Sequence, residues 1–126
     1  NNDIKIYPLE ADFTSIESVK EMCREIHKAK LTIDGLVNVA GITKDAIFQM
    51  TSSDDIRNIH NVNVVSTLVL TQAICKKMIR DRFGSIVNIS SISAIDGVEG
   101  QLSYSSSKAA LTLRAHASTL AARPLP

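Results

Sequence analysis

The chain has 126 residues, enough for one domain and no more. With 44% hydrophobic residues it is no disordered tail, and a net charge of +1 supplies no field for nucleic acid or an anionic membrane surface. No apolar run approaches the roughly 20 residues of a membrane span, and the start, N-N-D-I-K-I-Y-P, lacks the basic flank and apolar centre of a signal peptide.

Ile4, Ile6 and Leu9 predict a short strand, with Pro8 near its end. Thr14 and Glu17 read as a capping box. Ile16, Val19, Met22, Cys23 and Ile26 follow at helical spacing and predict a helix with one apolar face, running to about Ala29. Residues 33–40, I-D-G-L-V-N-V-A, are short, largely apolar and followed by Gly41, the pattern of a buried parallel strand. T-S-S-D from Thr51 predicts a cap and a short helix reaching about His60. Residues 62–80 predict a long helix, apolar on more than one face and therefore buried against a sheet on one side and another element on the other. Its basic end, K-K-M-I-R-D-R, suits the negative end of the helix dipole.

Gly84 is expected to close that helix, with a strand over 85–90 and a loop over 92–100 that holds Gly97 and Gly100. A last helix over 102–122 ends before Pro124 and Pro126. Strands alternate with helices, so the class is α/β with a parallel sheet. Cys23 and Cys75 lie on apolar helix faces and read as buried thiols in a reducing compartment, cytoplasm or organelle matrix. His27, His60 and His116 have no metal-like spacing and read as solvated, so no metal site is expected; Met22, Met50 and Met78 read as core filler.

Residues 91–108 carry the chemistry. Tyr104 and Lys108 are four apart, so on a helix they share one face. A phenol ionises near pH 10, and a neighbouring ammonium favours the ionised form. Ser91 follows the apolar run I-V-N-I-S, at the carboxyl end of a strand, where open α/β sheets bind ligands. Ser90 is its rival. Ser103, Ser105, Ser106 and Ser107 read as helix-surface or packing residues.

These motifs, taken in order, resemble the short-chain dehydrogenase/reductase family. N-V-A-G at residues 38–41 resembles its N-N-A-G; Asn63 falls at its helix asparagine; I-V-N-I-S-S at 86–91 resembles its catalytic-serine strand; Tyr104 and Lys108 make Y-x-x-x-K. Within the family, G-I-T-K-D and R-F-G-S-I-V-N-I-S-S resemble the 3-oxoacyl-carrier-protein reductases. The resemblance implies a Rossmann-type doubly wound parallel sheet and hydride transfer from NADPH or NADH to a ketone, such as a 3-oxoacyl thioester in fatty-acid synthesis. Tyr104 would be the general acid; Lys108 would assist it and bind the nicotinamide ribose; Ser91 would hold the substrate oxygen; Asn63 would hold a relay water. Asp12, beside Phe13, would meet the adenine, although it could instead help to start the first helix. Asn38, Ala40 and Gly41 would pack against the adenosine ribose. The helices over 62–80 and 102–122 resemble the family's dimer-forming pair and imply a homo-oligomer.

The sequence also departs from the family. No G-x-G occurs, Val39 replaces the second asparagine of N-N-A-G, and residues 114–126 leave the family's pattern. Residues 1–126 are therefore expected to form an incomplete NAD(P)-binding domain, a partial sheet without the first two strands, the Gly-rich phosphate loop or the last strands. The reading the resemblance implies is an NAD(P)H-dependent ketone reductase of which these residues are a part; the alternative is a non-catalytic chain that acts as an oligomerisation or interaction module, or a gene-model fragment. The strands over 33–40 and 85–90 would each keep one open edge, unless residues 5–9 slid in beside residues 33–40; finding 5–9 unpaired excludes that.

Overall fold

The computed structural model describes residues 4–121, with side chains through Thr112. Its centre is a parallel pair of strands, β1 (Gly35–Asn38) and β2 (Ser85–Asn88), with Gly35 opposite Ser85 and Asn38 opposite Asn88. Backbone bonds from Ser85 N–H to Asp34 O (3.0 Å) and from Ile89 N–H to Asn38 O (2.9 Å) extend the ladder by one residue at each end. Both strands are shorter than the apolar runs predict, because each has a partner on one side only among the described residues. Residues 4–10 are not a strand, and Ile4, Ile6, Tyr7 and Leu9 are exposed. Alternation alone does not make a strand without a ladder to join, and the sliding arrangement is excluded. Residues 6–9 instead line an apolar cavity of about 500 Å³ with Met22, Ile26, Leu36, Leu70 and Ile74.

Helix α1 (Ile16–Lys28) is capped by Ser15, whose hydroxyl accepts from Ser18 N–H at 3.4 Å. Thr14, the expected cap, is engaged elsewhere: its N–H and its hydroxyl donate to Asp12 Oδ1 at 2.8 and 2.7 Å. Val19 buries the inner face of α1 against α3 (Thr67–Asp81).

The helices expected on either side of residue 61 are one. Helix α2 (Ser53–His60) runs through a π-helical turn, Asn61–Ser66, into α3, a continuous span from Ser53 to Asp81. Ser52, not Thr51, is the cap; it accepts from Asp55 N–H (3.1 Å) and donates to Asp55 Oδ2 (2.8 Å). Fusion makes the helix long and apolar enough, by length and composition, to cross a membrane, which corrects the expectation that no run is. Here it serves as a core helix: Val62, Asn63, Ser66, Thr67, Thr71, Ile74 and Met78 are all buried. Arg82, in the left-handed conformation (φ 55°), ends it, and Phe83 N–H reaches back to Met78 O at 3.1 Å. Gly84 follows at φ 154°, where any side chain would collide with Met78. The expected loop over 92–100 contains a short helix, α4 (Ser93–Asp96), stopped by Gly97. Helix α5 (Leu102–Ala121) closes the described fold. Pro124, Pro126 and the His116 side chain lie outside the described residues.

The core is more polar than apolar. Asn38, at the end of β1, donates to Asn88 Oδ1 on β2 (2.7 Å) and to Thr71 Oγ1 on α3 (3.0 Å), and Asn88 Nδ2 donates to Leu111 O on α5 (3.5 Å). One largely buried chain of hydrogen bonds thus joins both strands and both flanking helices, and fixes where the strand ends point. Val39, which stands where the family has its second asparagine, is exposed. Three further expectations are corrected by burial. Cys23 and Cys75 are only partly buried, Met50 is 76% exposed, and His60 is half-buried, its Nδ1 3.0 Å from Ile56 O.

Candidate active site

Four segments converge past the carboxyl ends of the strands: the turn after β1, the segment after β2, the π-turn and the start of α5. Lys108 is buried, 4% exposed, although it is a lysine. Its ammonium donates to Ile89 O at 3.0 Å and lies 5.8 Å from the centre of the Tyr104 ring. Helical spacing brings these two side chains together as the sequence predicts. The ammonium has three donors, and Ile89 O is its one hydrogen-bond acceptor among the described residues.

Asn63 sits in the π-turn, a geometry found mostly at functional positions, and is wholly buried. Its Oδ1 accepts from Ile42 N–H (2.7 Å), while Nδ2 donates to Ile42 O and to Ser107 Oγ, both at 2.9 Å. The side chain therefore clamps the turn after β1. Gly41, in that turn, has no room for a side chain without adjustment: a Cβ would stand 3.2 Å from Lys108 Nζ and 3.3 Å from Asn63 Oδ1. The sequence reading links Gly41 to a ribose; the structure also sets it against Lys108.

Ser91 is less tightly joined. Its hydroxyl pairs with Ser93 Oγ at 2.7 Å and accepts from Ser93 N–H at 3.3 Å, and no hydrogen bond links it to Tyr104 or Lys108 among the described residues. Its rival Ser90 turns away, to Lys108 O (3.0 Å) and Thr112 Oγ1 (2.8 Å), bracing α5. Ser91 is thus the serine whose hydroxyl does not brace that helix.

The expected adenine-side residues form a second group. Asp12 is exposed, and its bonds to Thr14 hold its carboxyl below the usual range. Phe13 O accepts from Ser66 Oγ at 2.7 Å, which ties this loop to the π-turn. Ala40 is exposed. Asn38 is spent inside the sheet, so its side chain is structural.

Ser107 is the residue that sequence reasoning misses. Read as a packing serine, it is fully buried and bonded both to Asn63 and to Tyr104 O (2.7 Å). Its only local signal is its place directly before Lys108. Ser103 and Ser105 are also buried, as packing residues, and Ser106 Oγ lies 3.3 Å from His60 Nε2.

A Tyr–Lys pair on one helix, a buried asparagine at a π-turn and a serine past the neighbouring strand all lie at the carboxyl ends of a parallel sheet, in a Rossmann-type arrangement. Residues 1–123 match the model of the short chain dehydrogenase family, and the chain belongs to that family. Among its relatives is the 3-oxoacyl-[acyl-carrier-protein] reductase of Aquifex aeolicus, 41% identical over 108 residues, which covers 86% of this chain and 44% of the relative. The acetoacetyl-CoA reductase of an Acinetobacter species is 36% identical over 100 residues, or 79% of this chain and 40% of that protein. The crystal structure of an NAD+-bound xylitol dehydrogenase superposes with a TM-score of 0.81 at 28% identity, over 89% of this chain and 44% of that one. The chain thus spans less than half the length of these proteins.

Proposed function

We propose that these residues carry the proton-transfer side of an NAD(P)H-dependent ketone reductase acting on a 3-oxoacyl thioester. The observation that carries this reading is the buried Lys108 ammonium, held against the Tyr104 ring with donors to spare. Likeness to 3-oxoacyl and acetoacetyl-CoA reductases supports the substrate class.

The residues fit a nicotinamide cofactor. Lys108 keeps N–H donors suited to ribose hydroxyls, and Gly41 leaves the turn beside it bare. Asp12 Oδ1 is taken by Thr14, which leaves Oδ2 for an adenine amino group, with Phe13 beside it and Ala40 exposed along the same side. The cofactor, NADPH or NADH, would supply the hydride. Tyr104 donates its proton to the ketone oxygen as general acid. Lys108 stabilises the charge left on the phenolate. Ser91 orients the ketone oxygen by a hydrogen bond, for which it must share or leave Ser93. Both Asn63 amide protons are bonded, so its part in a proton relay would rest on the π-turn backbone rather than its amide. We place the protein in a reducing aqueous compartment, cytoplasm or organelle matrix, and read residues 1–126 as part of an NAD(P)-binding domain.

The test is NADPH consumption with an acetoacetyl thioester by a full-length chain carrying these residues. Tyr104→Phe should lower the rate by about 10²–10⁴-fold. No consumption, or an unchanged rate in the variant, would overturn the reading. A second role, homo-oligomerisation through the helices over 62–80 and 102–122, is favoured by Val65 and Ile79, which lie exposed on the first of them.

A further inference from the structure

We propose that Ser107 is a positioning residue for Lys108, acting through Asn63 and the Gly41 turn; the proposal rests on the reductase reading of this site. Hydrogen-bond polarity fixes the arrangement. A serine hydroxyl has a single proton. Ser107 gives it to Tyr104 O at 2.7 Å, so toward Asn63 it can only accept. The Asn63 NH₂ group must therefore face Ser107, and its carbonyl oxygen must face the other way. That oxygen takes Ile42 N–H at 2.7 Å, on the side where Gly41 meets the Lys108 ammonium: the bare Cβ position of Gly41 is 3.3 Å from Asn63 Oδ1 and 3.2 Å from Lys108 Nζ. Reversing the amide would set its NH₂ against Ile42 N–H, donor facing donor, and its oxygen against Ile42 O, acceptor facing acceptor. Ser107 and Asn63 are both 0% exposed, so water cannot replace a lost partner without opening the fold. Ser107 and the Ile42 backbone thus hold between them the amide that seats the turn against the ammonium, and Ser107 is the one side chain in that grip. Its neighbour in sequence, Lys108, is reached by two routes: directly along α5, and around through the π-turn and the loop after β1.

The test labels the lysines of a full-length chain carrying these residues with an amine-acetylating reagent and reads each site by mass spectrometry. Ser107→Ala should raise the rate at buried Lys108 about tenfold, the scale of one lost buried hydrogen bond read through local opening, with Lys5, Lys28 and Lys44 unchanged. Asn63→Ala should raise the Lys108 rate similarly, and the double variant no further, as expected for residues acting in one chain. An unchanged Lys108 rate in a folded Ser107→Ala, or single effects that multiply in the double variant, overturns the proposal. Should Ser107→Ala fail to fold, exchange of the Asn63 side-chain amide protons in the unsubstituted chain decides: slow exchange of both supports the lock, and fast exchange overturns it. Neither readout uses a nicotinamide or a ketone, so a failed reductase assay and a failed lock are distinguishable.

Discussion

Asn38 shows how a residue read for one task performs another. The sequence places it beside a ribose; the fold spends both its amide protons on Asn88 and Thr71, one on the sheet partner and one on the helix that crosses it. Replacing it removes the donor to two buried acceptors at once. Asn38→Leu should lower unfolding free energy by about 2–3 kcal/mol, measured by urea denaturation, and a change below about 0.5 kcal/mol would show that the network does not hold the strand ends. The Tyr104–Lys108 pair, by contrast, was legible directly, because partners four apart on a helix need no tertiary information. Asn63 and Ser107 are 44 positions apart, and no local pattern pairs a serine with an asparagine at that distance.

At the scale of elements, helix positions were legible and their first residues were not. Thr14 against Ser15 and Thr51 against Ser52 are each a choice between adjacent hydroxyls. The winner is the one whose oxygen meets the N–H three residues on. The loser at position 14 finds Asp12. The same caps bring a pH dependence. Asp55 is held below the usual carboxylate range by Lys44 and then Ser52, Asp12 by Thr14, and Glu17 by Lys20. For a carboxyl whose folded value is depressed, the stabilising contribution is present above the unfolded value and is lost as pH falls through the folded one. Melting temperature should therefore be flat above about pH 5 and fall below about pH 4. Lys44→Ala should flatten that fall, and an unchanged acid slope in the variant would remove Asp55 as a contributor. Fusion of α2 and α3 was not legible, because the polar stretch H-N-V-N reads as a break until Asn63 and Ser66 are seen to bond neighbouring loops.

At the scale of the molecule, two short strands are left with open outer edges among the described residues, beside a wealth of exposed apolar side chains that includes Val37, Val39, Val87 and Ile89 on and next to them. A two-stranded sheet is marginal without further cover, and unpaired edges invite another chain. The 126-residue chain should accordingly self-associate at micromolar concentration, seen by sedimentation velocity as a concentration-dependent rise in mass. A monodisperse monomer across that range would show that the helices protect these edges by themselves.

Sequence alone determined the α/β class with a parallel sheet, the positions of the strands near residues 35 and 85 and of the helices around them, and the proximity of Tyr104 to Lys108. Each of these follows from periodicity or from spacing along one element, and the family membership followed from the order of those motifs. Tertiary structure decided the rest: that residues 4–10 form no strand, that one helix replaces two, that Asn38 works inside the sheet, and that Asn63 donates to Ser107. The physical reason is common to all four. A ladder, a cap or a buried amide is satisfied by whichever partner the fold brings within hydrogen-bonding distance, and that partner is most often remote in the chain.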